Sequence, residues 1–241
     1  MAANRQRRVV QRMPAERRVA DIMTAARAVL AERGAAEAFI SEVAERAGVV
    51  EGSIYRFFSN KRDLVEKVAE HWYEETLADY SAQLDGVRGV RNQLRFIIHH
   101  HLGTIKKEAA LARIVFLEFR PAPNYRETRL FQLNQTYTQR VVDTVRAATK
   151  TGEFRKDVSP TMARDMIFGS IEHRVWSFLR GDGDFDVART ADAVTDFVYR
   201  ALSAPEHDSA DRLSVALTRI EAAADRLEKA AARKPRTAVR P

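Results

Sequence analysis

Residues Phe39 to Leu64 read FISEVAERAGVVEGSIYRFFSNKRDL, and this stretch decides the fold. Ser41 is placed to cap a short helix whose apolar positions are Val43, Ala44 and Ala47. Ala44 is small enough for a second helix to cross it closely. Gly48 supplies a turn residue with positive φ, and Val49 plugs the corner. The next helix begins near Glu51 and turns Ile54 and Phe57 or Phe58 inward. Two short helices joined by a tight glycine turn make a helix-turn-helix. In that motif the second helix enters the DNA major groove and its first residues reach base edges.

Outward from this motif the chain reads as all-α. Ten glycines and seven prolines punctuate 241 residues, and no alternating strand pattern lasts beyond a few residues. A first helix spans about 15–33, with Val19, Ile22, Met23, Ala26, Val29 and Leu30 as its apolar stripe and Gly34 as its stop. Short helices fall at about 41–47 and 51–58. Asn60 is placed to cap a longer helix at about 61–84, with Asp63 as its capping-box partner. Further helices are expected at about 90–107, 109–119, 125–150, 160–180 and 187–203, separated by glycine and proline breaks. An extra C-terminal amphipathic helix at 209–233 carries Leu213, Leu217, Ile220, Ala224, Leu227 and Ala231 at alternating four- and three-residue steps.

Composition and charge narrow the function. There are no cysteines, which excludes disulfides and thiol catalysis and fits a cytoplasmic protein. No stretch approaches the ~18 consecutive apolar residues of a membrane span, so no membrane partner is expected. The formal charge of +7 is concentrated at the ends. Residues 1–18 hold six arginines against Glu16, and 233–241 hold four cations, leaving a body near −2. A basic flexible arm at 1–14, with Arg7 and Arg8 at its centre, and a basic disordered tail at 234–241 are therefore expected. Such an arm supplies non-specific attraction to DNA and can lie in the minor groove. The helix-turn-helix itself is nearly neutral, because Arg46, Arg56, Lys61 and Arg62 are matched by Glu42, Glu45, Glu51 and Asp63.

Residues 15–75 resemble the DNA-binding domain of TetR-family transcriptional regulators. Ala47, Gly48, Val49, Gly52, Ser53, Ile54, Tyr55, Phe57, Phe58, Lys61 and Leu64 carry the resemblance. It implies an N-terminal three-helix DNA-binding domain at 15–64, followed by a helical effector-binding and dimerisation domain at 65–204. It also implies phosphate contacts from Tyr55 and Lys61, groove-facing roles for Glu51, Ser53 and Arg56, and close backbone approach at Gly52. With Ser41, Val50 and the arm arginines these complete the expected DNA-binding set. One position departs from the family pattern: Val50 stands where Ser or Thr usually caps the recognition helix, and losing a cap typically costs ~1 kcal/mol.

The second domain carries aromatic residues at helical spacing. Phe96, Phe116, Phe119, Phe131, Tyr137, Phe168 and Trp176, with the polar neighbours His100, Asn134, Glu172 and His173, form the expected lining of a mostly apolar effector pocket. Arg113, Arg120 and Arg174 are candidate cations at its mouth. His99, His100 and His101 are consecutive, so their side chains diverge by about 100° and cannot chelate one metal. Neither a metal nor a cofactor is expected. Residues 152–155 and 164–172 further resemble the acyl-CoA-responsive repressors of fatty-acid degradation within the family. The family resemblance implies a homodimer through the helices at 160–180 and 187–203 on a pseudo-palindromic operator, and the narrower one implies release by a long-chain acyl-CoA. Two alternatives remain at this point: a multidrug or aromatic-ligand-responsive repressor, and a non-specific nucleoid-type DNA-binding protein. An enzyme is disfavoured, because the chain has no glycine-rich phosphate loop, HExxH, GxSxG or cysteine nucleophile.

Overall fold

The computed structural model describes residues 14–232, with side chains apart from 206–212, 225 and 227–232. The expected basic arm, including Arg7 and Arg8, and the expected basic tail lie outside the described residues, save Pro14. Among the described residues ten α-helices account for the architecture, and the only β-pairing is an isolated bridge between Phe154 and Ser203.

Helix α1 (Ala15–Glu37) buries Ile22, Ala26, Val29 and Leu30. Gly34 breaks its helical geometry at φ 73°, as expected of a stop, but the chain resumes and runs on to Glu37. Helices α2 (Ile40–Arg46) and α3 (Glu51–Ile54) flank the turn at Gly48, where φ is +64°. Ser41 does not cap α2. The helix begins one residue earlier, after extended Phe39, and no side chain caps it. Burial of Ile40, Val43 and Ala44 against α1 sets the start instead. Helix α3 is also shorter than expected. The chain turns at Tyr55, and the Phe57 and Phe58 amides both donate to the Ile54 carbonyl at 2.9 and 3.0 Å.

Helix α4 (Lys61–Leu84) belongs to both domains. Asn60 caps it, accepting from the Asp63 amide at 3.0 Å, while the Asp63 carboxylate accepts from the Ser59 amide at 2.7 Å. Its first half buries Leu64, Val65 and Val68, and its second half carries Tyr73 and Tyr80 into the effector domain. Helix α5 (Val90–Lys107) follows. Helix α6 (Ala109–Ile114) continues into a π-helical turn at Val115–Phe119. The helix expected at 125–150 divides. A 3-10 turn at Tyr125–Glu127 precedes α7 (Arg129–Thr151), because the Thr128 hydroxyl donates to the Tyr125 carbonyl and accepts from the Phe131 amide.

Helices α8 (Pro160–Arg180) and α9 (Val187–Leu202) are capped by Ser159 and Asp186. Helix α5 packs on α9, α7 on α8 and α4, and α1 on α6 and α4, around one continuous apolar core. The apolar residues of α8 divide between two faces. Ile167, Ile171, Val175 and Leu179 are fully buried, whereas Met162 and Met166 are 54% and 68% exposed. Helix α10 (Pro205–Ala232) follows α9 after two residues. No helix among the described residues is long and apolar enough to cross a membrane.

Candidate functional site

The helix-turn-helix presents a continuous exposed surface. Ile54 and Phe58 are buried and anchor it from behind, while Glu51, Gly52, Tyr55 and Arg56 are exposed and Ser53 half-buried. Val50 is the residue before α3 and makes no side-chain cap. Ser41 is exposed on α2. The Lys61 ammonium reaches back to the Ala36 carbonyl at the end of α1, 3.2 Å away. Most cations of this domain are tied up internally. Arg46 bridges Glu32 and Glu42 at 2.6–2.8 Å, Arg33 meets Glu42 at 2.7 Å, and the Arg62 guanidinium lies 5.0 Å from the centre of the Phe119 ring. Arg56 makes no ion pair among the described residues.

A cavity of about 520 Å³ opens in the second domain, between α4, α7, α8 and the turns after α6. Tyr73, Phe116, Phe131 and Phe168 supply aromatic walls. Asn134, Gln135 and Thr138 come from one face of α7, and Arg164, Asp165 and Glu172 from α8. Arg120 and Arg126 complete the lining. Polar groups are therefore more numerous than in the mostly apolar pocket expected from the sequence. The Arg120 guanidinium lies 4.7 Å from the Phe116 ring centre and pairs with Glu172 at 2.9 Å. Arg164 pairs with Asp165 at 2.8 Å, and Arg126 is exposed without an ion pair among the described residues. The Tyr73 hydroxyl donates to Asn134 at a long 3.4 Å, and burial pushes this phenol above its ordinary range. The Tyr125 hydroxyl is buried beside Phe131 with no hydrogen-bond partner among the described residues.

His101 is the least expected member of the lining. Its ring meets Phe168 edge-on at 5.0 Å and makes no hydrogen bond among the described residues. Burial, with help from the nearby Arg120 and His100, pushes its pKa down to about 3, so the imidazole is neutral. His100 points elsewhere: its Nδ1 lies 3.2 Å from the Tyr137 hydroxyl, and burial lowers its pKa. His99 is exposed. The three consecutive histidines thus diverge as their helical spacing requires.

Of the expected lining, Phe116, Phe131, Asn134, Phe168 and Glu172 meet at the cavity. The others do not line it. Phe96, His100 and Tyr137 stack around buried Tyr80 in the core between α4, α5 and α7. Phe119 is buried beneath Arg62. His173 is exposed, and Trp176 lies 5.9 Å from the Arg180 guanidinium. Of the candidate mouth cations, only Arg120 is at the cavity. Arg113 donates to the Leu179 carbonyl at 2.6 Å, and Arg174 is exposed on α8 away from it. Gln135 and Thr138 were within reach of the sequence, since 131, 134, 135 and 138 share one helical face.

The two domains meet at Arg27. This α1 residue bridges Glu75 of α4 at 2.6 Å and Glu108, just before α6, at 2.7 Å. Helix α6 therefore touches the DNA-binding domain at its start and delivers Phe116 and Arg120 to the cavity at its end.

Comparison with known proteins agrees with this architecture. The family of bacterial regulatory proteins named tetR matches residues 22–68, and the family of YsiA-like proteins, C-terminal region, matches 71–201. Helix α10 lies beyond both matches. The fatty acid metabolism regulator protein of Bacillus subtilis is 23% identical over 181 residues, covering 75% of this chain and 93% of the relative. The transcriptional repressor KstR2 of Rhodococcus jostii is 22% identical, covering 78% and 92%. Among solved structures, FadR from Bacillus subtilis in complex with stearoyl-CoA aligns with a TM-score of 0.66 at 23% identity, over 75% of this chain and 97% of that one. A regulator from Saccharomonospora viridis in complex with choline aligns at 0.68 and 20% identity, over 79% and 100%. At these identities the structural likeness is one of fold. The two family matches cover the reading head and the effector domain in turn, and the chain is a DNA-binding transcriptional regulator belonging to the TetR family.

Proposed function

We propose that the protein is a dimeric repressor released from its operator by an acyl-CoA. The observation that carries this reading is the cavity. Its aromatic walls suit an acyl chain, and Arg120, Arg126 and Arg164 supply cations for an anionic head. Its volume of about 520 Å³ is within the usual range of ligand sites. The names of the relatives point the same way, one a fatty acid metabolism regulator and one solved with stearoyl-CoA.

On the DNA side, Tyr55 and Lys61 contact phosphates, the latter after leaving the Ala36 carbonyl. Glu51, Ser53 and Arg56 face base edges, and Gly52 allows close approach. Val50 and Ser41 flank this surface, and the arm residues Arg7 and Arg8 add electrostatic attraction. Two copies meet through α8 and α9, where Met162, Met166 and Phe197 are exposed. Ligand in the cavity presses on Phe116 and Arg120 and so on α6, which moves α1 through the Arg27 bridge and changes the spacing of the two reading heads. The ligand shifts the population only by its preference for the misaligned state.

A chain-length series of acyl-CoAs titrated into a fluorescent operator complex tests the reading. Each buried CH₂ contributes ~0.8 kcal/mol, so release sharpens with length until the cavity fills. Free CoA and short chains leave the complex intact. A response that is flat in chain length removes the acyl-CoA assignment. Release by flat polycyclic ligands alone would instead assign the four aromatic walls to an aromatic effector.

A further inference from the structure

Helix α10 lies beyond both family matches, and its large apolar side chains among the described residues are exposed. Leu213, Leu217 and Ile220 are 63%, 51% and 63% exposed, and Ala224 is exposed as well. These four positions are spaced by four, three and four residues, so they form one seam along the helix. An exposed stripe of large apolar side chains marks an interaction surface. We infer that this seam pairs, antiparallel, with α10 of a second copy of the chain.

Among the described side chains of the seam, the order of residue sizes selects that direction once two copies pair. In an antiparallel pair with its two-fold axis between Leu217 and Ile220, Leu213 faces the partner's Ala224 and Leu217 faces the partner's Ile220. The symmetry repeats both layers, so no layer holds two alanines. In a parallel pair each residue would face its own copy. The Ala224 layer would then be hollow, and an unfilled layer costs stability in proportion to its void. The flanking residues agree. The antiparallel arrangement sets Ala216 beside the partner's Ala223 on one side and Ser214 beside the partner's Glu221 on the other. Small side chains there let the backbones approach, and no like charges are opposed. The seam is short for an independent coiled coil. It is continuous in sequence with α9, whose Phe197 is 76% exposed on the face proposed to join two copies. The inference thus rests on the dimer reading, with α10 adding to an association that raises its effective concentration.

The chain has no cysteine, so introduced thiols can pair only with each other. The full-length protein carrying both Leu213→Cys and Ala224→Cys is oxidised mildly and run on a non-reducing gel. Within one helix these positions are about 16 Å apart, too far to bridge. The expected result is a covalent dimer from the double variant and almost none from either single variant. Adding Leu217→Asp and Ile220→Asp to the double variant abolishes the cross-link while helical circular dichroism is retained. Cross-linking of each single variant alone would mean parallel pairing and overturn the inference. A species that sediments as a dimer but yields no cross-link would overturn it and leave the α8–α9 reading standing. A monomer would overturn both.

Discussion

His101 binds almost no protons at neutral pH in the folded protein, because burial against Phe168 and the charge of Arg120 hold its pKa near 3. In the unfolded chain an ordinary histidine titrates near ~6.5. The unfolded state therefore takes up the proton first as pH falls. The stability this difference provides is complete above ~6.5 and is lost progressively toward pH 3. Thermal denaturation followed from pH 7.5 to 5 should show the melting temperature falling more steeply in the wild type than in His101→Gln. Parallel curves would mean that the imidazole is not held neutral. Arg120 makes a second residue-scale prediction. Arg120→Ala removes a cation from the cavity and leaves the Glu172 carboxylate facing it. Losing a charge-assisted bond costs about 1.5–3 kcal/mol, so acyl-CoA affinity should fall roughly ten- to a hundredfold by titration calorimetry. Unchanged affinity would place the anionic head elsewhere. The sequence showed the three histidines and their divergence. It did not show which one enters the cavity, because that depends on how α5 is rotated against α7 and α8. In the same way Phe116, Phe131 and Phe168 were legible as aromatic residues on helices, yet nothing local separates them from Phe96 and Tyr137, which fill the core around Tyr80.

At the scale of elements, local chemistry was legible wherever a side chain sets a boundary. Asn60 caps α4, Ser159 and Pro160 start α8, and Gly181 ends it with φ +84°. Reading failed where packing sets the boundary. Ser41 has a capping side chain, but α2 begins at Ile40 because that residue is buried. The π-helical turn after α6 has no sequence signal. It arises where Phe116 and Phe119 are both buried, and it brings Arg120 over the Phe116 ring. Turns of this kind recur at functional sites. Helix α3 offers a direct test of capping. Val50 precedes it in extended geometry, at φ −81° and ψ 146°, with no side-chain acceptor for the first amides. Val50→Thr should stabilise the DNA-binding domain by about 1 kcal/mol. For a chain of this size that raises the melting temperature by roughly 2–4 °C. A fall instead would show that the exposed Val50 side chain contributes packing that the cap cannot replace.

At the scale of the whole molecule, two questions are electrostatic: how the domains are coupled, and what attracts the protein to DNA. Arg27 ties α1 to Glu75 and to Glu108, and all three side chains keep some contact with solvent, so the bridge is a joint rather than a large source of stability. Arg27→Ala should leave melting nearly unchanged. It should still shrink the ligand-induced change in operator affinity, which for coupled sites is typically about 5–150-fold. A full response in the variant would route the coupling around this joint. Attraction to DNA is the second question. The reading head has little net positive charge, because Arg46 and Arg33 are paired with acids and Arg56, Lys61 and Arg62 are offset in number by Glu45, Glu51 and Asp63. Arg56 is exposed and makes no ion pair among the described residues. The arm before α1, where Arg5, Arg7, Arg8 and Arg12 are concentrated, is proposed as a main source of the field. Each phosphate that these arginines neutralise releases counterions and steepens the dependence of log affinity on log salt by ~0.9. Removing residues 2–13 should flatten that slope by about one unit per lost contact and weaken operator and random duplex alike, since phosphates carry no sequence information. Fluorescence anisotropy across a salt series measures both. A slope unchanged by the deletion would mean that the arm does not touch DNA, and that the recognition surface binds through shape and hydrogen bonds with almost no electrostatic help.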